Sequence, residues 1–137
     1  MEEKLEIEYF IDEPSQIRVT ASNGLFSGYA EEYVNINSLI GLADELDGFP
    51  KSHDSIIDFA ISSKTPSFSL QFYCKNRTGH LCVKIKIYGK AYGKLSSDEA
   101  LINLSFEAVA LDSFVKALKA INNKDQGTVK LVGVKSA

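Results

Sequence analysis

The chain of 137 residues has no tryptophan, one methionine, three prolines, two cysteines and two histidines. Each scarcity removes a class of explanation. Cys74 and Cys82 are too few for the disulfide framework of a small secreted domain, so reduced thiols in a cytoplasmic setting are the expectation. His53 and His80 leave little from which to assemble a nucleophile, a base and an orienting group, or a metal site. No stretch reaches the roughly 18 apolar residues of a membrane span. The start, Met1-Glu2-Glu3-Lys4, lacks the basic segment and apolar core of an export signal, so neither export nor a membrane partner is expected. There is no Lys/Arg run interleaved with aromatics, and the net charge is -3, which disfavours nucleic acid as a partner. Gly89, Gly93 and the stretch Asn23-Gly24-Leu25-Phe26-Ser27-Gly28 precede no helix start that could hold a phosphate, so no cofactor is expected.

What is present is the make-up of one ordinary domain, with 45% hydrophobic and 24% charged residues. A chain of this size buries about two thirds of the surface its unfolded form exposes, so it needs no covalent staple. Leu5, Ile7, Tyr9 and Ile11 alternate with Glu6, Glu8 and an out-of-pattern Phe10, the period of a strand with one buried face. Ile17, Val19 and Ala21 continue the alternation to the Asn23-Gly24 turn, and a third strand runs from Leu25 to Val34. Asn37 reads as the cap of a helix over 38–47 with Leu39, Leu42 and Leu46 inward, closed by Asp47-Gly48 and Pro50. Ile56 to Ile61 is a fourth strand. Phe68, Leu70, Phe72 and Cys74 form one arm of a hairpin, and Val83, Ile85 and Ile87 the other. Gly89 to Ser97 reads as a glycine- and serine-rich loop carrying an exposed Tyr92. Ile102, Leu104 and Phe106 mark a seventh strand, Asp112 caps a helix over 112–122 with Phe114, Leu118 and Ile121 inward, and Gly127 to Val134 closes the chain as an eighth.

The expected class is therefore α+β: about eight antiparallel strands and two amphipathic helices in the order βββαβ-βββαβ. A shift of 75 positions lays Asn37 on Asp112, Ser38 on Ser113 and Leu46 on Ile121. Half-repeats over 1–62 and 67–137 within a single domain are one reading of that match. Independent recurrence of a meander closed by a helix is the other.

Candidate chemistry is sparse. His80 lies two residues from Cys82 beside the 76–81 turn, where a small hydrolase or ligand-binding site with Gly89 to Ser97 as a lid is the alternative reading; a turn histidine bonded to a local carbonyl is the plainer one. Cys74 and Cys82 flank the hairpin turn symmetrically, either as a labile cross-strand pair or as two small packing residues. Asn76-Arg77-Thr78 matches a glycosylation acceptor, but the secretory route that would use it is not expected.

Asn23-Gly24-Leu25-Phe26-Ser27-Gly28 with Glu32 and Tyr33, Leu42-Ala43-Asp44 through Gly48-Phe49-Pro50, and Phe72-Tyr73-Cys74 with Gly79-His80 and Val83 resemble a largely uncharacterised family of short bacterial α+β proteins. That family is similar to immunity proteins of polymorphic toxin systems. The resemblance spans most of the chain and implies no catalytic residue. It fits a non-catalytic protein-binding module whose partner is a protein such as a basic toxin domain. The acids Glu6, Glu8, Asp12 and Glu13, with Tyr92, Arg77 and His80, are the expected binding residues, and Tyr9, Tyr29, Tyr33, Tyr73 and Tyr88 add interface-prone rings. A homodimer joined through a sheet edge is the structural alternative.

Overall fold

The alternation read at the start of the chain becomes a strand whose Leu5, Ile7 and Tyr9 are buried while Glu6, Glu8 and Phe10 face outward. The computed structural model describes residues 2–61, 66–75, 80–91 and 94–134. Among them are eight strands and two α-helices in chain order: β1 (Lys4–Phe10), β2 (Gln16–Ser22), β3 (Ser27–Tyr33), α1 (Ile36–Leu46), β4 (Ile56–Ala60), β5 (Phe68–Cys74), β6 (Leu81–Ala91), β7 (Lys94–Phe106), α2 (Ala108–Lys119) and β8 (Gln126–Val132), with a single 3-10 turn at Ile121–Asn123 before β8. The strands form two four-stranded sheets, β3-β2-β1-β8 and β4-β5-β6-β7, in which every neighbouring pair is antiparallel. The α+β class and the βββαβ-βββαβ order are those expected.

The sheet order has a consequence that element order alone does not carry. Matching β1, β2, β3, α1 and β4 with β5, β6, β7, α2 and β8 makes the two sheets equivalent, and the fourth strand of each half lies in the other half's sheet: β8 beside β1, and β4 beside β5. The helices correspond at a shift of 72, which carries the buried Leu39, Leu42, Ala43 and Leu46 onto the buried Leu111, Phe114, Val115 and Leu118. The same 72 carries Ile57 and Phe59 of β4 onto Val129 and Leu131 of β8. The shift of 75 is therefore displaced by three residues. Positions three apart share a helix face, which is why apolar anchors coincided there too.

Three local readings are corrected. The cap of α1 is Asn35, whose Oδ1 accepts the Asn37 amide at 3.0 Å, and not Asn37 itself. The second helix starts at Ala108 after Glu107; Asp112 lies inside it on the exposed face, because the apolar stripe already begins at Leu111. The segment Gly89 to Ser97 is no loop in its described part: β6 and β7 stay paired through Lys90↔Leu95 and Ala91↔Lys94, with a register shift between Tyr88 and Lys90. Gly89 sits at that shift, where a residue without a Cβ accommodates a bulge most easily. The proposed lid therefore has no basis, and Tyr92 lies outside the described residues.

Both sheets and both helices contribute to one hydrophobic cluster. The sheets approach closely at Gly28 of β3, where a Cβ would stand 3.0 Å from Ile87 Cδ1 and 3.8 Å from Ile102 Cδ1 on the other sheet. Polar ties cross the same gap: Ser67 Oγ lies 2.9 Å from the Glu31 carbonyl and 2.6 Å from Glu32 Oε2, and Asn23 Nδ2 donates to the Asn103 carbonyl at 3.3 Å. The helices pack on each other, and Lys119 Nζ meets Asp47 Oδ2 at 2.5 Å on their exposed side. Among the described residues no buried side-chain nitrogen or oxygen lacks a partner, and no helix is long and apolar enough to cross a membrane.

The cap assignment is directly testable. Asn35→Ala should lower unfolding free energy by about 1 kcal/mol in urea titrations, whereas Asn37→Ala should stay within about 0.5 kcal/mol. A larger loss at Asn37 would contradict the assignment.

Candidate functional site

The outer face of the first sheet is built by alternation alone. Pairing registers align its outward side chains in rows, three of which are Tyr29, Thr20, Glu6 and Lys130; Glu31, Arg18, Glu8 and Thr128; and Tyr33, Gln16, Phe10 and Gln126. Arg18 holds the middle row. Its Nη2 and Nε lie 2.5 and 3.0 Å from Glu31 Oε1, and its guanidinium carbon lies 5.8 Å from the centre of the Tyr29 ring. The hydrogen bond to Glu31 and then that carboxylate's charge hold the guanidinium above its ordinary value, so the cation persists at any working pH.

Around this pair the face is unusually aromatic for a solvent surface. Tyr29 is 66% exposed, Tyr33 61% and Phe10 43%. Leu25 and Phe26, in the β2–β3 turn, are also exposed, and they are held there: Asn23 Oδ1 accepts both their amides, and Gly24 supplies the positive φ of 89° that the turn requires. Of the ten large apolar or tyrosine side chains exposed among the described residues, six (Phe10, Leu25, Phe26, Tyr29, Tyr33 and Val132) belong to this sheet or its turn, so the exposure is concentrated rather than scattered. Shallow depressions of about 300 and 350 Å³ lie on either side of Glu8 and Phe10, the first reaching Arg18 and Glu31.

The acids that stood out in the sequence divide into two groups. Glu6 pairs with Lys4 at 3.2 Å and lies opposite Lys130, which itself reaches Glu2 at 3.4 Å. Glu8 lies opposite Arg18. The acidic strand is therefore largely neutralised by its neighbours. Asp12 and Glu13 are exposed in the β1–β2 turn, beyond the row of Phe10 and Tyr33, and form an acidic rim at that end.

Of the expected binding residues, the structure brings Glu6, Glu8, Asp12 and Glu13 to this one face and its end. His80 does not join them, because it stands before β6 in the other sheet; Arg77 and Tyr92 lie outside the described residues. Tyr9 is a core residue at 5% exposure and is withdrawn from the interface set. Arg18 and Glu31 were not singled out from the sequence, and Phe10 was noted there only as out of pattern. Their signal was parity: Phe10 shares the solvent side of β1 with Glu6 and Glu8, where an aromatic has no core to fill.

The cysteine readings resolve differently. Cys82 pairs with Tyr73 and Cys74 with Leu81, so the two thiols occupy opposite faces of the hairpin and do not face each other; both are free. Cys82 is buried, with its Sγ 3.6 Å from Ser105 Oγ. Burial first, and Cys82 second, push up both the Cys74 thiol and the Tyr73 hydroxyl, the opposite of what activates a nucleophile. His53 meets Asp54 at 3.2 Å in an exposed pair, and among the described residues no three His, Cys, Asp or Glu side chains gather as metal ligands. No family model, curated protein or solved structure matches the chain.

The thiol geometry predicts that mild oxidant leaves the native protein without an intramolecular disulfide, and burial of Cys74 predicts that the pH midpoint of its alkylation lies above that of an ordinary thiol. Loss of two hydrogens from the intact mass, without unfolding, would contradict it.

Proposed function

We propose that the protein is a non-catalytic protein-binding module of the immunity type, which neutralises a basic toxin domain through the outer face of its first sheet. The observation that carries this reading is Arg18, set between Tyr29 and Glu31 and flanked by exposed Phe10 and Tyr33. Arginine and tyrosine are the side chains that most often dominate binding energy at interfaces, since each buries a large area while keeping polar groups to pair. Here the arginine is pre-oriented by two hydrogen bonds to one carboxylate oxygen, which lowers the entropy lost when a partner covers it. The neutral centre and acidic rim suit a partner with an apolar contact surface fringed by lysine or arginine. In that arrangement Asp12 and Glu13 steer the encounter, and the central row supplies residence time.

The test begins with a partner captured from the native cells at fixed stoichiometry and then measured in purified form. Tyr29→Ser and Arg18→Ala should each weaken binding by roughly 30-fold, the scale of an interface hot spot, mainly through faster dissociation. Replacing Asp12 and Glu13 by their amides should slow association most at low salt, because exposed charges are screened over about 10 Å at 0.1 M salt. Leu101→Ser, on the outward face of the other sheet, should change neither. Loss of binding with Leu101→Ser but not with Tyr29→Ser would refute the assignment.

A further inference from the structure

The two halves match closely enough that their differences become informative. α2 lies along β8, and Val129 beneath it is 1% exposed. At the equivalent place α1 touches β4 only sparsely, and Ile57, the counterpart of Val129, is half-buried. Thr128 of β8 has as its counterpart Ile56, which is 60% exposed. The space that side chains fill in one half is an open groove of about 490 Å³ in the other, lined by Asp44 and Glu45 of α1, Phe49, Lys51 and Ile56 to Asp58.

The groove follows a sheet edge that no other strand covers among the described residues. β4 ends the second sheet, with β5 as its strand neighbour. Successive strand residues point to opposite faces, so a groove that touches Ile56, Ile57 and Asp58 in succession runs along the strand's side, where backbone groups face outward. Three carboxylates, Asp44, Glu45 and Asp58, stand against one ammonium, Lys51.

We propose that this groove binds an extended basic segment of a partner protein, which adds to the second sheet as a fifth strand beside β4. Such a segment would place an apolar side chain against Phe49 and Ile57 and a lysine or arginine opposite Asp58, with Asp44 and Glu45 adding negative charge along the groove. A second copy of the chain fits poorly: antiparallel self-pairing centred on Asp58 sets two carboxylates directly opposite, and like charges there destabilise the pair. This surface is separate from the Arg18 face, on the opposite sheet, and does not depend on the function proposed above.

The test uses the full chain, labelled for amide NMR, and two synthetic peptides of about seven residues that alternate valine with either lysine or glutamate. The lysine peptide should give saturable shifts at the amides of 56–60 and of Asp44 and Glu45, with roughly tenfold tighter binding than the glutamate peptide. Asp58→Lys should reverse that preference while leaving the remaining spectrum folded, and Asp58→Asn should reduce it. Arg18→Ala should leave peptide binding unchanged, which separates this site from the first sheet's face. Absence of saturable shifts, equal affinity for both peptides, or shifts centred on β1 to β3 would overturn the proposal.

Discussion

The structure depends on an exchange: each sheet is completed by the last strand of the other half. β1 is an interior strand only because β8 pairs with it from Lys4↔Val132 to Phe10↔Gln126, across nearly the whole length of the chain. β5 gains β4 in the same way. Without the exchange each half would be a three-stranded meander with an unpaired first strand and a helix lacking a full apolar surface to cover. The exchange places both sheets and both helices over one core, so apolar burial that neither half could complete alone is shared.

That constraint also shapes the surface. Because β1 is interior, its acids are flanked on both sides, Glu6 by Thr20 and Lys130 and Glu8 by Arg18 and Thr128. A strand that reads as strongly acidic thus belongs to a face whose acids mostly have a cation beside them, Glu8 and Glu31 sharing Arg18, with Asp12 and Glu13 of the turn beyond it. Two distant parts of the chain build this face, and a sheet interior with paired strands on both sides of β1 and β2 gives it a fixed backbone. Of its exposed aromatics, Phe10 stands on β1, and Tyr29 and Tyr33 stand on β3, which pairs along its length with β2, while Phe26 is held in the β2–β3 turn. The β4 side of the molecule is the contrasting case, since the helix that would cover it stands away.

Much of this architecture was legible in the sequence, for a local reason. Where one face of a strand is buried, alternation records it, and β1, β2, β5 and β6 announced themselves through Leu5, Val19, Leu70 and Ile85. The errors arose where local chemistry has two solutions. Asn35 and Asn37 are both competent caps, and only the fold selects the first. Asp112 resembles a cap but can equally sit on a helix's wet face. Gly89 resembles a loop but also permits a bulge that lets a hairpin continue. The sheet order could not be read, because β1 to β8 and β4 to β5 pairing follows from burial across the whole molecule. For the same reason the Arg18 face was only half visible: Glu6 and Glu8 stood out by charge, while their neighbours on β2 and β3 are assigned by register alone.

If exchange of the fourth strands holds the molecule together, the two sheets cannot open independently. Native-state hydrogen exchange across a urea series measures this directly, with the central amides of β1 and of β5 as reporters. The interlocked fold requires both sets to converge on one opening free energy and one denaturant dependence, matching global unfolding. Separate isotherms, with one sheet opening while the other stays protected, would contradict it.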